Sequence, residues 1–427
     1  MKMKRLSAII FLVLALGATT LEAQNKLILD ECKQLAVANY PFIRQYKLVE
    51  QSSQYTLENI AKNYLPQIGF NAQATYQSEV TKLSIDQSSL PFTLNIPSVN
   101  KDQYKATVDV SQLIWDGGAT ASQKKVAQAN SNVDKQRIDV SLYAVKDKIN
   151  QLYFGILAVD EQLGIVDLTE KNLRSNREVV ASMLRNGVAM QPDADLLDVE
   201  LLSLDQTRIT QKALRKAYVQ MLSLFIHKPL ADNVELEKPL ETNFSLEGIS
   251  RPELNLYASQ MEALKTQNYA LDAKNRPKLA LFAQGGYGRP GLNMMEDKFK
   301  LFGVAGVKLS WNFGGLYTQK NEQKLIETNI SNLEIQQEAF LFNTNLELTK
   351  EQSEIQKMKD LLSKDDDIIQ LRARVKLSGE SRYKNGTYQM NELIRDINNE
   401  SLARQTKALH EIQYLMNVYN YKQIQGK

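Results

Sequence analysis

Four stretches of this chain alternate apolar and polar residues with a period of two. Ile68, Phe70, Ala72, Ala74, Tyr76, Ser78 and Val80 are apolar or small, with Gly69, Asn71, Gln73, Thr75, Gln77 and Glu79 between them. Tyr104, Ala106, Val108 and Val110 form a second set, interleaved with Lys105, Thr107, Asp109 and Ser111. Leu279, Leu281, Ala283, Gly285 and Tyr287 form a third, with Phe282 out of phase. Phe299, Leu301, Gly303, Ala305, Val307, Leu309, Trp311 and Phe313 form the fourth, against Lys300, Lys308, Ser310 and Asn312. Successive side chains of a strand point to opposite faces, so strands are predicted at about 67–80, 104–115, 278–288 and 299–313.

A tilted strand needs about 9–11 residues to cross the hydrocarbon of a bilayer, and these stretches are that long. Aromatic residues sit near their ends, and both tryptophans, Trp115 and Trp311, stand just before paired glycines. Trp115, Trp311 and Phe313 are therefore expected at a membrane interface. An antiparallel sheet packed on one face of a soluble core would alternate in the same way. Four strands cannot close a barrel, because the smallest bacterial outer-membrane barrels use eight. Open edges in lipid would leave backbone groups unpaired at several kcal/mol each. If the strands span a membrane, several chains must pool them, and three chains would supply twelve. Gln73, Gln77, Lys105, Asp109, Lys300 and Lys308 would then face the lumen.

Other segments carry a helical period. Ile138, Leu142, Val145, Ile149, Leu152, Ile156, Val159, Leu163 and Val166 alternate spacings of four and three, the repeat of supercoiling helices. Residues 119–184 contain no proline and could run as one helix of roughly 100 Å. A twin covers 316–383, and a shorter seam recurs at Leu409, Ile412, Met416 and Tyr419. The predicted class is mainly α with β: long coiled-coil helices and four strands per chain.

The elements come in one order twice. Pro41 and Pro66 are echoed by Pro252 and Pro277, Trp115-Asp116-Gly117-Gly118 by Trp311-Asn312-Phe313-Gly314-Gly315, and Arg185-Asn186-Gly187 by Lys384-Asn385-Gly386. The expected organisation is a first repeat at 24–227, a linker at 228–250 and a second repeat at 251–427. Residues 1–23 read as a cleaved signal peptide: Met1–Arg5 is basic, Leu6–Leu16 is apolar, and small residues lead to Ala23. Cys32 does not resemble an acylated cysteine and is expected half-buried on a helix.

Composition narrows the chemistry. There are 19 glycines and 10 prolines in 427 residues, few for a chain rich in turns. Net charge is +3, and the leader carries most of it, which does not suggest nucleic acid as a partner. One cysteine and two histidines exclude a disulfide framework and a multi-ligand zinc or iron–sulfur site from one chain. No metal, cofactor or catalytic residue is predicted, and the chain is not expected to be an enzyme. Gly286-Tyr-Gly288-Arg-Pro-Gly291 spells a dinucleotide-type glycine pattern, but no helix follows, so a hairpin is expected. Asp365, Asp366 and Asp367 read as a solvated helix face, and His227 and His410 as surface residues.

The leader, the duplicated helix–hairpin–helix halves, the strand start Leu65-Pro66-Gln67 and the strand exit Trp115-Asp116-Gly117-Gly118 together resemble the TolC-like outer-membrane efflux proteins. The resemblance spans essentially 24–426. It implies a homotrimer with a 12-stranded transmembrane β-barrel in the outer membrane, continued into a periplasmic α-barrel of coiled-coil helices. It also implies a passive exit duct for a tripartite efflux or type I secretion system. Its partners would be a periplasmic adaptor (membrane fusion) protein and an inner-membrane pump of RND, ABC or MFS type. In that family, helix pairs bearing acidic residues close the periplasmic end. Here those acids would be Asp193, Asp195, Glu392 and Asp396. The family's second acid in the second copy would fall at Arg395, a departure. The adaptor-docking turns would be Asn186-Gly187-Val188 and Asn385-Gly386-Thr387. A structural periplasmic coiled-coil protein without a channel is the competing reading.

Overall fold

Period-two segments are strands and heptad segments are helices in a computed structural model, which describes residues 26–81, 99–240 and 248–427. The expected signal segment at 1–23, residues 82–98 between the first two strands and residues 241–247 of the expected linker lie outside the described residues. The elements run α1 (Leu29–Asn39), α2 (Gln45–Ala61), β1 (Gln67–Tyr76), β2 (Asp102–Trp115), α3 (Ala119–Arg185) and α4 (Gln191–Ile226). They continue with α5 (Pro252–Lys274), β3 (Lys278–Arg289), β4 (Lys300–Ser310), α6 (Leu316–Lys384) and α7 (Met390–Gln425). The two long helices hold 67 and 69 residues, and each of their followers holds 36.

The residues group into two compact units, and each draws on both halves of the sequence. One unit comprises Arg44–Ile138 and Glu253–Ala339. It contains the four-stranded antiparallel sheet, in the order β1-β2-β3-β4. The register aligns like with like. Phe70 pairs with Val108, Val108 with Gly285 and Gly285 with Gly303; one step on, Val110 pairs with Ala283 and Ala283 with Ala305. The apolar members of all four alternations thus share one face. β1 stops at Tyr76, short of the alternation's reach to Val80, after one further bond from Gln77 N to Lys101 O at 2.9 Å. β4 stops at Ser310, so Trp311 and Phe313 lie beyond it rather than within a strand reaching 313. The physical reason is local: the Trp311 indole N–H donates to Asn275 O at 2.9 Å, and Asn312 Oδ1 accepts Gly314 N–H at 2.9 Å, which turns the chain toward α6.

The other unit comprises Met1–Ile43, Asp139–Pro252 and Phe340–Lys427. Its main core gathers α1, α3, α4 and α7 around Ile149, Tyr153, Ile156, Leu222, Ile226 and Val418. The α3 seam is buried as its spacing predicts, with only Leu152 and Leu163 half-exposed. The α7 seam is offset from its prediction. Ile412 is buried, but Leu415 and Val418 replace Met416 and Tyr419 on the innermost line. Tyr419 stays half-buried because its ring packs against Phe154, with centroids 5.6 Å apart, and Lys33 and Lys422 lie over it.

The segment expected as a linker is held against the helices: Leu27 and Leu236 form a parallel bridge, and the Tyr153 hydroxyl donates to Leu27 O at 2.6 Å and Glu237 O at 2.7 Å. Two expectations are corrected in this unit. Cys32 is fully buried, and burial pushes its thiol up to about 12, so it acts as a packing residue. Asp365 and His410 are not solvated. Asp365 is buried, and its carboxylate meets His410 Nδ1 at 2.7 Å across α6 and α7, because that face of α6 turns inward. Asp366 and Asp367 remain exposed, and Lys407 reaches Asp366 at 2.6 Å.

Candidate functional site

The sheet has two chemically different faces. One carries Ile68, Phe70, Tyr76, Leu301, Val307 and Leu309, each more than two-thirds exposed or close to it. Exposed aliphatic and aromatic side chains in register over four strands make a continuous apolar surface, unlike the scattered apolar residues of an ordinary protein exterior. Rings stand at both limits. Tyr287 stacks on Phe299 at 5.4 Å near one end, and Trp311 meets Phe313 at 4.7 Å beyond the other. Tyr104 and Trp115, on β2, bracket about 36 Å of strand at ~3.3 Å per residue, or about 28 Å of height at a tilt of ~40°.

The opposite face is polar on the first hairpin. Asp109 sits at its centre and accepts Asn71 Nδ2 at 2.7 Å, Thr107 Oγ1 at 3.1 Å and Gln284 Nε2. The second hairpin departs from clean alternation. Phe302 faces its cross-strand partner Gly286, and Phe282 faces Gly306. A Cβ at Gly286 would lie 2.5 Å from the Phe302 ring, so glycine makes room for the aromatic. Gln73, Lys105, Asp109, Lys300 and Lys308 all fall on this face.

The two Asn-Gly turns are brought together by a second core. Leu173, Val180, Leu197, Tyr383, Met390, Leu393 and Ile397 pack there, from α3, α4, α6 and α7. Both turns end their long helices identically. Gly187 (φ 74°) and Gly386 (φ 72°) are left-handed. Val188 N bonds Met183 O at 2.9 Å and Gly187 N bonds Leu184 O at 3.0 Å; Thr387 N bonds Arg382 O at 3.0 Å and Gly386 N bonds Tyr383 O at 2.9 Å. This is the paired-bond helix stop that favours glycine. Val188 is well exposed.

The four acids occupy different environments. Asp193 and Glu392 hold equivalent third positions of α4 and α7. Asp193 Oδ2 accepts Met190 N at 3.1 Å, and Glu392 Oε2 accepts Gln389 N at 3.3 Å. Asp195 is exposed and receives Gln191 Nε2 at 2.8 Å. Asp396 is set apart: it is buried, and the Tyr388 hydroxyl donates to it at 2.8 Å. Tyr383, buried beside this cluster, has its phenol pushed up to about 12 by burial first and by the Asp193 charge second.

Comparison with solved structures decides the fold. The outer-membrane channel OprN shares 13% identity over 93% of this chain and 89% of its own, with a TM-score of 0.67. The outer membrane protein VceC of Vibrio cholerae shares 14% over 93% and 95%, at 0.64. The open state of the Neisseria gonorrhoeae MtrE outer membrane channel shares 13% over 93% and 88%, at 0.63. The chain has the TolC-like fold. No protein-family model matches the sequence, and no curated protein matches it.

Several residues that organise this TolC-like chain escape sequence reasoning. Asp116 is almost wholly buried and accepts Tyr64 OH at 3.0 Å, Gly118 N at 2.9 Å and Thr120 N at 2.6 Å, so it fastens the strand exit to α3. Gly117 (φ 70°) is required there twice over, since a Cβ would lie 2.6 Å from Arg276 Cβ. Arg177 on α3 grips Asp198 on α4 with two bonds, at 2.8 and 3.0 Å, and this holds the Asp198 carboxyl below its usual range. The Trp-Asp-Gly-Gly spelling is the one visible signal for Asp116. Nothing local marks Arg177 or Tyr388, whose partners lie on another helix or eight residues further on.

Proposed function

We propose that this chain is one of three identical subunits of an outer-membrane export duct. Each subunit contributes four strands to a 12-stranded barrel and its long helices to a periplasmic tube. The observation that supports this reading most directly is the sheet: one face is apolar and exposed, and among the described residues neither β1 nor β4 pairs along its outer edge. Such a face is costly in water and at ease in lipid, whereas such edges are intolerable in lipid unless neighbours close the wall. Exposed apolar rows on the helices fit the same assembly: Val199, Leu202 and Ile209 on α4, and Leu361, Ile368, Leu371 and Val375 on α6, keep spacings of three, four and seven.

The duct is passive and couples to a periplasmic adaptor and an inner-membrane pump, as part of an efflux or type I secretion system. The two repeats reflect a duplication. The turns at 186–188 and 385–387 offer exposed backbone for adaptor contact. Glu392, with Asp193, is the best-placed acid for a ring at the periplasmic end, and Asp396 serves a supporting bond to Tyr388 instead. Trp115, Trp311 and Phe313 mark the periplasmic membrane interface.

Detergent extraction followed by mass measurement tests the assembly. A complex of three chains with stepwise conductance in planar bilayers is expected. Release as a monomer by salt alone would refute the duct.

A further inference from the structure

The polar face of the sheet is not charge-balanced. Register places Lys105, Asp109, Lys278, Lys300 and Lys308 on it, four cations against one anion. The single carboxylate is already engaged by Asn71, Thr107 and Gln284. Lys300 is matched by Glu296 at 2.5 Å. Lys278 and Lys308 lie on neighbouring strands near the end that leads into α6, both exposed, with no carboxylate partner among the described residues. Lys105 stands over the Phe302 ring, 5.1 Å from its centroid, and has no ion-pair partner among the described residues either. Beside these cations lie Phe282, Phe302 and Val304 on the same face.

We infer that the barrel segment of the duct is a cationic, partly aromatic passage that favours anionic cargo, above all anions with an apolar body. The inference rests on the trimeric duct proposed above, in which this face lines the lumen. Three copies bring nine lysines, none in a salt bridge among the described residues, into one water-filled wall bounded by low-dielectric lipid, where like charges reinforce one another's potential. The field draws in anions and repels cations, while the Phe282 and Phe302 rings give an amphiphilic anion an apolar surface. The acidic ring proposed at Glu392 would act with the opposite sign, so the two contributions are separable by mutation.

The test uses the full-length trimer in planar bilayers under a potassium chloride gradient. The wild-type reversal potential should report chloride preference. The Lys105→Gln/Lys278→Gln/Lys308→Gln variant should lower the chloride-to-potassium permeability ratio at least about threefold, with the effect shrinking at 1 M salt. Lys300→Gln should do much less, because Glu296 already offsets it. A conducting trimer whose selectivity is unchanged by the triple substitution would overturn the inference and leave the duct standing. A folded protein that is never trimeric would overturn both. A shut pore is covered by a second measurement, because the barrel mouth does not depend on the periplasmic end. The trisulfonated dye pyranine should bind the detergent-solubilised wild-type trimer at low salt several-fold more tightly than the triple variant. Equal binding would also overturn the inference.

Discussion

At the residue scale, the helix ends show how one backbone angle fixes where a long helix stops. Gly187 and Gly386 have open space where a Cβ would go, so their requirement is conformational and not steric. Gly187→Ala and Gly386→Ala should each weaken the local helix stop by about 1 kcal/mol, read by hydrogen exchange at the turn amides. Gly187→Trp should leave assembly intact and reduce adaptor-dependent export, and unimpaired export would argue against docking there. Glu392 caps a helix, and the gate role proposed for it is a second one. Its carboxylate caps α7, which gains about 0.3–1 kcal/mol from the helix dipole. Glu392→Gln keeps a capping side chain but removes charge, so it should reduce cation block in bilayer recordings while barely altering stability. If block is unaffected, the acid is only a cap.

Among elements, α6 and α7 are joined by polar bonds that sequence patterning does not foresee. Glu400 is buried between Lys376 at 2.7 Å and Arg404 at 2.7 Å. Burial alone would raise its pKa; the hydrogen bonds from Lys376 and then Arg404 outweigh that and hold it below the usual glutamate range. A depressed carboxyl stabilises the fold above its unfolded pKa of about 4.3 and loses that contribution as pH falls through the folded value. Contact between α6 and α7 should therefore loosen in acid below about pH 4, and Glu400→Gln should reduce that acid sensitivity, with Asp365 and Asp366 still linking the two helices; fluorescence from probes on the two helices would report it. In α3 the seam is apolar and its energetics are simpler. Ile149 is fully buried, so Ile149→Ala should cost about 2–5 kcal/mol in chemical denaturation.

For the whole molecule, the exposed apolar rows on α4 carry a prediction about assembly. Leu202→Asp with Ile209→Asp should convert the proposed trimer to smaller species on sizing while the helical circular dichroism of the chain persists. Loss of helix together with loss of assembly would mean that these residues pack within the subunit instead.

The sequence by itself determined the periods. Alternation in 67–76 and 102–115 and the three-four spacing along 138–166 are local consequences of strand and helix geometry, so strands, long helices and the apolar sheet face were all legible. The Asn-Gly helix stops were legible for the same reason, since a left-handed residue announces itself as glycine. Only the tertiary structure decided which acids are free and which are committed. Asp396 and Glu392 look alike in the chain, yet one is buried under Tyr388 and the other caps a helix at the surface. His410 and Asp365 read as solvated until two helices faced each other. Such pairings depend on distances between residues remote in sequence, and a one-dimensional pattern does not carry them.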